Sequence, residues 1–254
     1  MGHSNPFESP KARLSRGKDH TQKLKKRISV YFKNTPYIKV VEKDSQGFQV
    51  HKIKVTKDVP NVCIHYAAEA LEAIRSALDQ AGYAAAIASG KPAPKKTSFP
   101  IGDDLAGLEN SITGYKVCKD LPAEIVTLFR SFNPYKGGND AIWTLNKLRN
   151  TNHTVLTPIG SVVGGANFNN VSFNGGGSIA VPRWDREKNE MEFLRVVPGG
   201  AVDYNVGFSF FVAFDKIDAI DATVPIDYLD VMAAEVRKVV LATEAECRRL
   251  GFIK

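Results

Sequence analysis

Arg75 and Asp79 stand four residues apart in the run Ile74-Arg75-Ser76-Ala77-Leu78-Asp79. On a helix that spacing puts both side chains on one side, next to the apolar stripe of Leu71, Ile74 and Leu78. A second polar group, Arg149, Asn150 and His153, gathers where a later helix is expected to give way to a strand. If the two helices are neighbours, an imidazole, a carboxylate and two guanidiniums come within mutual reach. Such a set suits acid–base chemistry on an anion. His153 would move the proton, Asp79 would orient it, and Arg75 or Arg149 would hold the negative charge, with Asn150 beside them. The same residues equally suit a structural network in which Arg75 and Asp79 satisfy each other, because a charge beside a core must be paired.

Other chemistries find less in the sequence. No metal site is expected, since one His and one Asp without a third ligand fall short of ordinary coordination. No cofactor is expected either: the glycines at 175–177 lack the strand–GxGxxG–helix setting of a dinucleotide site and read as a turn. There is no P-loop, no G-x-S-x-G elbow and no H-E-x-x-H. Cys63, Cys118 and Cys247 are odd in number and widely spaced, a pattern of buried thiols in a reducing compartment, so a cytoplasmic protein is expected. Met1 to Pro10 lacks the apolar stretch of a signal peptide, and no apolar run approaches a membrane span.

Charge supplies the second candidate site. The net charge of +7 is uneven: residues 1–57 hold 14 Lys/Arg against 4 Asp/Glu, while the remainder holds 20 against 23. Lys18, Lys23, Lys25, Lys26 and Arg27 form a dense positive stripe on an expected helix. Phosphate contacts there would give salt-dependent, sequence-tolerant binding of RNA or another anionic partner. A solvated helix face, or contact with an acidic partner, explains the same residues.

The elements that must position these groups follow from periodicity. Residues 1–10 are expected to be disordered, and a basic helix is predicted from Lys11 to Lys33, weakened by Gly17 and stopped before Pro36. A hairpin follows, Tyr37–Val41 and Phe48–Val55, with a bulge near His51 where the alternation changes phase. A long helix from Pro60 to about Ser89 carries Ile64, Leu71, Ile74, Leu78 and Ala85 on one stripe. Residues 90–100 read as a loop, and helices fit Pro122–Phe132 and Asp140 to about Asn152. The period then becomes two over Thr154–Val163, Ser178–Val181, Glu192–Val197 and Val206–Phe214, with Gly164–Gly177 between them as low-complexity sequence. A final helix, Pro225 to about Arg249, presents Leu229, Met232, Val236, Val240 and Cys247. The expected class is α+β: a bundle of long antiparallel helices with an N-terminal β-hairpin and a C-terminal antiparallel sheet closed by the terminal helix. A single domain over 11–254 is expected, divided into 11–57, 60–153 and 154–254.

The motifs resemble an uncharacterised bacterial family. In that family an L-R-S-A-L-D helix precedes a T-x-F-P-I loop, and a later Trp- and Leu-bearing helix ends in Asn followed by Lys-His. Here the matching pieces are Ile74–Asp79, Thr97-Ser98-Phe99-Pro100-Ile101, and Trp143, Leu145 and Leu148 leading to Asn150 and His153. The chain departs from the pattern at Glu72-Ala73 and Gln80, where the family carries histidines and an asparagine, and at Asn152-His153-Thr154 in place of Lys-His-Arg. It is more distantly similar to HEPN proteins, helical bundles in which an Arg-x4–6-His motif cuts RNA in a dimer. Arg149 to His153 has three intervening residues, one too few. This resemblance implies a nucleotide- or RNA-interacting protein, a ribonuclease in its strongest form, and a homodimer. The alternative is a non-enzymatic binding or scaffold protein whose polar helix cluster is structural.

Overall fold

The computed structural model describes residues 5–152, 156–214 and 223–254. The chain is a mixed α+β structure with six helices and two antiparallel sheets among the described residues. The helices are α1 (Glu8–Lys33), α2 (Asn61–Ala88), α3 (Leu105–Thr113), α4 (Ala123–Ser131), α5 (Asp140–Asn152) and α6 (Tyr228–Arg249). The strands are β1 (Tyr37–Lys43), β2 (Gln49–Val55), β3 (Ile159–Asn174), β4 (Gly177–Asp185), β5 (Glu190–Val196), β6 (Ala201–Phe214) and β7 (Val224–Pro225).

Helix α2 is the centre of the helical core. Its stripe of Leu71, Ile74, Leu78 and Ala85 is fully buried, and alanines at 67, 70, 77, 81, 84 and 86 thin the helix enough for α1 and α6 to lie close. Gly17 of α1 belongs to this packing. A Cβ there would lie 2.7 Å from Ile74 Cγ1, so the glycine is a contact point between α1 and α2 as well as a weak helix former. On α6, Leu229, Met232, Val236, Val240 and Cys247 are all fully buried. Within the segment expected to be disordered, α1 begins at Glu8, and Phe7 is buried in the helical core.

The strands are distributed differently from the expected separate hairpin and C-terminal sheet. β1 and β2 pair antiparallel from Tyr37↔Val55 to Lys43↔Gln49, and β2 then pairs with β5 to give the order β1-β2-β5-β4. The register shifts between His51 and Lys52 against β5, at the phase change in the sequence. The second sheet has the order β3-β6-β7. Its strand β3 continues through the segment read as low-complexity sequence, and the turn is confined to Gly175 and Gly176, both at positive φ. The composition hid an alternation: Ala166, Phe168, Val171 and Phe173 are half-buried, while Asn167, Asn170, Ser172 and Asn174 face solvent. Bulges at 163/165 and 168/170 re-phase the strand, and β6 supplies a matching apolar face.

A second core fills the space between the sheets, with Ile53, Met191, Phe193, Leu194 and Val196 from one and Val163 and Val206 from the other. The β3–β6 ribbon reaches both cores, since its near end (Ile159, Val212, Phe214) packs into the helices.

Candidate functional site

Helices α2 and α5 do pack side by side, and two rungs join them. Arg75 Nε donates to Asn146 Oδ1 at 3.1 Å, and one turn away Arg149 Nε donates to Glu72 Oε2 at 2.9 Å. Stepping backward on α2 matches stepping forward on α5, so the pair is antiparallel. Arg75 is buried, and its Nη1 also lies 2.8 Å from Asp79 Oδ1, an ion pair without hydrogen-bond alignment. Arg149 and Glu72 sit nearer solvent, where a pair contributes little.

Asp79 does not turn toward α5. Its Oδ1 accepts the Phe99 backbone N–H at 2.9 Å and so pins the loop that follows α2. That loop is gripped again at its far end. Asp103 Oδ1 accepts from Trp143 Nε1 at 3.0 Å and pairs with Lys147 Nζ at 2.6 Å. Hydrogen bonds from Lys147 and Trp143 hold the Asp103 carboxyl below the usual carboxylate range. Between the two grips Phe99 is buried against Phe129, with ring centroids 4.7 Å apart, and Thr97 crosses α2 at Gly82. The Ile74–Asp79 run, the loop motif and Trp143 are thus parts of one clamp.

Of the residues singled out in the sequence, Arg75 and Asp79 meet, Arg149 forms the adjacent rung, and Asn150 points to solvent. His153 lies outside the described residues. Asn146 and Glu72 were missed by sequence reasoning. The Glu72 carboxylate is what takes the Arg149 guanidinium.

The basic stripe of α1 divides. Lys25 is consumed by α6: its Nζ lies 2.8 Å from Asp227 Oδ1 and 2.5 Å from Asp230 Oδ2, and hydrogen bonds to these two raise its pKa. Lys23, Lys26 and Arg27 are solvent-exposed on the outward face and form no ion pair among the described residues; Lys18 is also exposed and unpaired, but on the side of α1 that lines the groove with α6. Arg16 and Lys33 extend the same outward face.

No group of three or more His, Cys, Asp or Glu among the described residues is placed to hold a metal ion. The cysteines are buried and unpaired, and burial pushes the Cys118 and Cys247 thiols up to about 12, away from the thiolate a nucleophile needs. No described helix is long and apolar enough to cross a membrane. Comparison of the chain with protein-family models, curated proteins and solved structures finds no match.

Proposed function

We propose that the protein binds RNA through the open basic face of α1, and that the Arg75–Asp79 constellation is a structural clamp rather than a catalytic centre. One contrast carries this reading. The guanidiniums of Arg75 and Arg149 already have acceptors within the fold, whereas Lys18, Lys23, Lys26 and Arg27 have none among the described residues. Buried charges without partners are costly, so partnered ones report on the fold and exposed, unpartnered ones remain available to an anion. The outward face carries no aromatic ring, so contact falls on phosphates and is tolerant of sequence. Three buried thiols without a disulfide suit a reducing, cytoplasmic setting.

Fluorescence anisotropy with a short labelled RNA tests this. About three phosphate contacts give a log–log salt dependence with a slope of roughly −2 on a single strand. The double variant Lys23→Glu/Lys26→Glu should weaken binding at least about tenfold at unchanged Tm, since both side chains are exposed. Binding insensitive to salt or to that variant would overturn the proposal. So would displacement of the RNA by polyglutamate at equal charge concentration as efficiently as by unlabelled RNA, which would identify an acidic protein as partner. Cleavage of the RNA that disappears in His153→Ala at unchanged Tm would replace the binding role with the ribonuclease reading.

A further inference from the structure

Helices α1 and α6 run antiparallel, and their seam has a seven-residue rhythm. At one end Lys11 Nζ pairs with Glu244 Oε2 at 2.7 Å, and at the other Lys25 Nζ pairs with Asp230 Oδ2 at 2.5 Å. Seven residues are close to two helical turns, so Lys11, Lys18 and Lys25 share one face of α1, and Glu244, Arg237 and Asp230 share one face of α6. Midway between the two opposite-charge rungs, the heptad positions are taken by two cations, Lys18 and Arg237. Both line one groove of ≈ 590 Å³ whose apolar surface comes from Leu14, Ala233, Val240 and Leu241. Lys11 and Asp230 are the other charged groups lining it, and each is neutralised by its own rung.

Two cations lining one groove repel each other, and the acids of the flanking rungs are already engaged by Lys11 and Lys25. What fits the middle rung is an anion shared by an ammonium and a guanidinium fork, a geometry suited to phosphate. The groove lies within the size range of small-molecule sites, and its apolar surface can receive a body attached to that phosphate. We infer that the α1–α6 groove is a phosphate-ester binding site, with Lys18 and Arg237 as the clamp. If the phosphate belongs to an RNA chain, the inference deepens the proposed function and rests on it. If it belongs to a free phosphate ester, the site stands apart from that reading.

The test uses the full chain, with adenosine monophosphate and a short RNA as separate probes in calorimetric titrations. Inorganic phosphate against chloride at matched ionic strength is followed by thermal melting. Arg237→Gln and Lys18→Gln should each weaken adenosine monophosphate at least about tenfold, the share of a charge-assisted hydrogen bond to phosphate. Lys91→Gln, on an exposed loop outside the groove, should not. Without ligand, Arg237→Gln should melt no lower than wild type, because a repulsion between two cations of one groove is removed. Phosphate should raise the wild-type Tm and not that of the variant.

RNA affinity that also falls in Arg237→Gln identifies a chain phosphate as the occupant; RNA affinity unchanged while the mononucleotide is lost identifies a free ester. Both results uphold the site. Mononucleotide binding without any RNA binding upholds the site and removes the RNA reading. Mononucleotide affinity and phosphate-dependent Tm that are the same in wild type and both variants overturn the site, whatever the RNA does.

Discussion

At the scale of single residues, Asp79 illustrates how an exposed-looking carboxylate can hold a fold. It serves two partners at once, the ion-paired Arg75 guanidinium and the Phe99 N–H, and only the first of these was legible from the i, i+4 spacing. The second depends on a loop folding back over α2, which no local pattern announces. Asp79→Ala leaves a guanidinium that is largely out of water with Asn146 as its remaining partner, and it orphans a backbone donor. Asp79 retains some solvent contact, which moderates the loss, and about 2 kcal/mol of destabilisation is expected. Arg149→Ala, at the more exposed rung, should cost under about 1 kcal/mol. Chemical denaturation of the two variants checks the contrast. Equal losses, or a larger one at Arg149, would mean that Asp79 does not anchor the loop.

At the scale of elements, the helices were readable and the second sheet only partly so. Stripes on α2 and α6 follow the 3.6-residue period and are buried where expected, except that Ile64 in the first turn of α2 is only half-buried. In β3 the period of two is interrupted by two bulges and carried by asparagines and glycines, so composition concealed the strand. Both candidate sites were legible as residues and illegible as arrangements. The heptad spacing of Lys11, Lys18 and Lys25 is plain in the sequence, but its meaning needs the antiparallel register with α6. The same limit applies to α2, where small residues mark crossings the sequence does not identify. A Cβ on Gly82 would come 2.0 Å from the Thr97 carbonyl oxygen, a backbone atom that cannot simply rotate away. Gly82→Ala would ordinarily favour a helix by about 1 kcal/mol. Here the overpacking cost wins, and a net loss of about 2 kcal/mol is expected in the same denaturation assay. A gain in stability would show that the loop crosses α2 less tightly than described.

At the scale of the whole molecule, the question is what fastens the two sheets over their shared core. His51 stands at that junction: it rises from β2, its Nδ1 lies 3.2 Å from Tyr204 Oη on β6, and its ring meets Phe193 and Tyr204 edge-on. Its Nε2 is buried without a partner among the described residues. Burial lowers its pKa, so the imidazole is held neutral. Lys39 rests 5.7 Å over the Tyr204 ring, and burial alone sets the His51 shift. Because the folded pKa lies below the unfolded value of about 6.5, the two states bind protons equally above that pH. As pH falls below about 6.5 the unfolded chain gains the proton first, and stability is lost until the folded pKa is reached. Carboxylates held low by partners, such as Glu244 with Lys11, Asn5 and Arg248, lose their contribution only below about pH 4.5, in a separate window. His51→Gln preserves a side chain able to hydrogen-bond Tyr204 and cannot titrate. Thermal melts of wild type and His51→Gln should therefore converge or run parallel from pH 8 to about 6.5 and separate as pH falls to about 5, with the wild type losing more. Curves that stay parallel through that interval would show that the junction of the two sheets does not depend on a neutral imidazole.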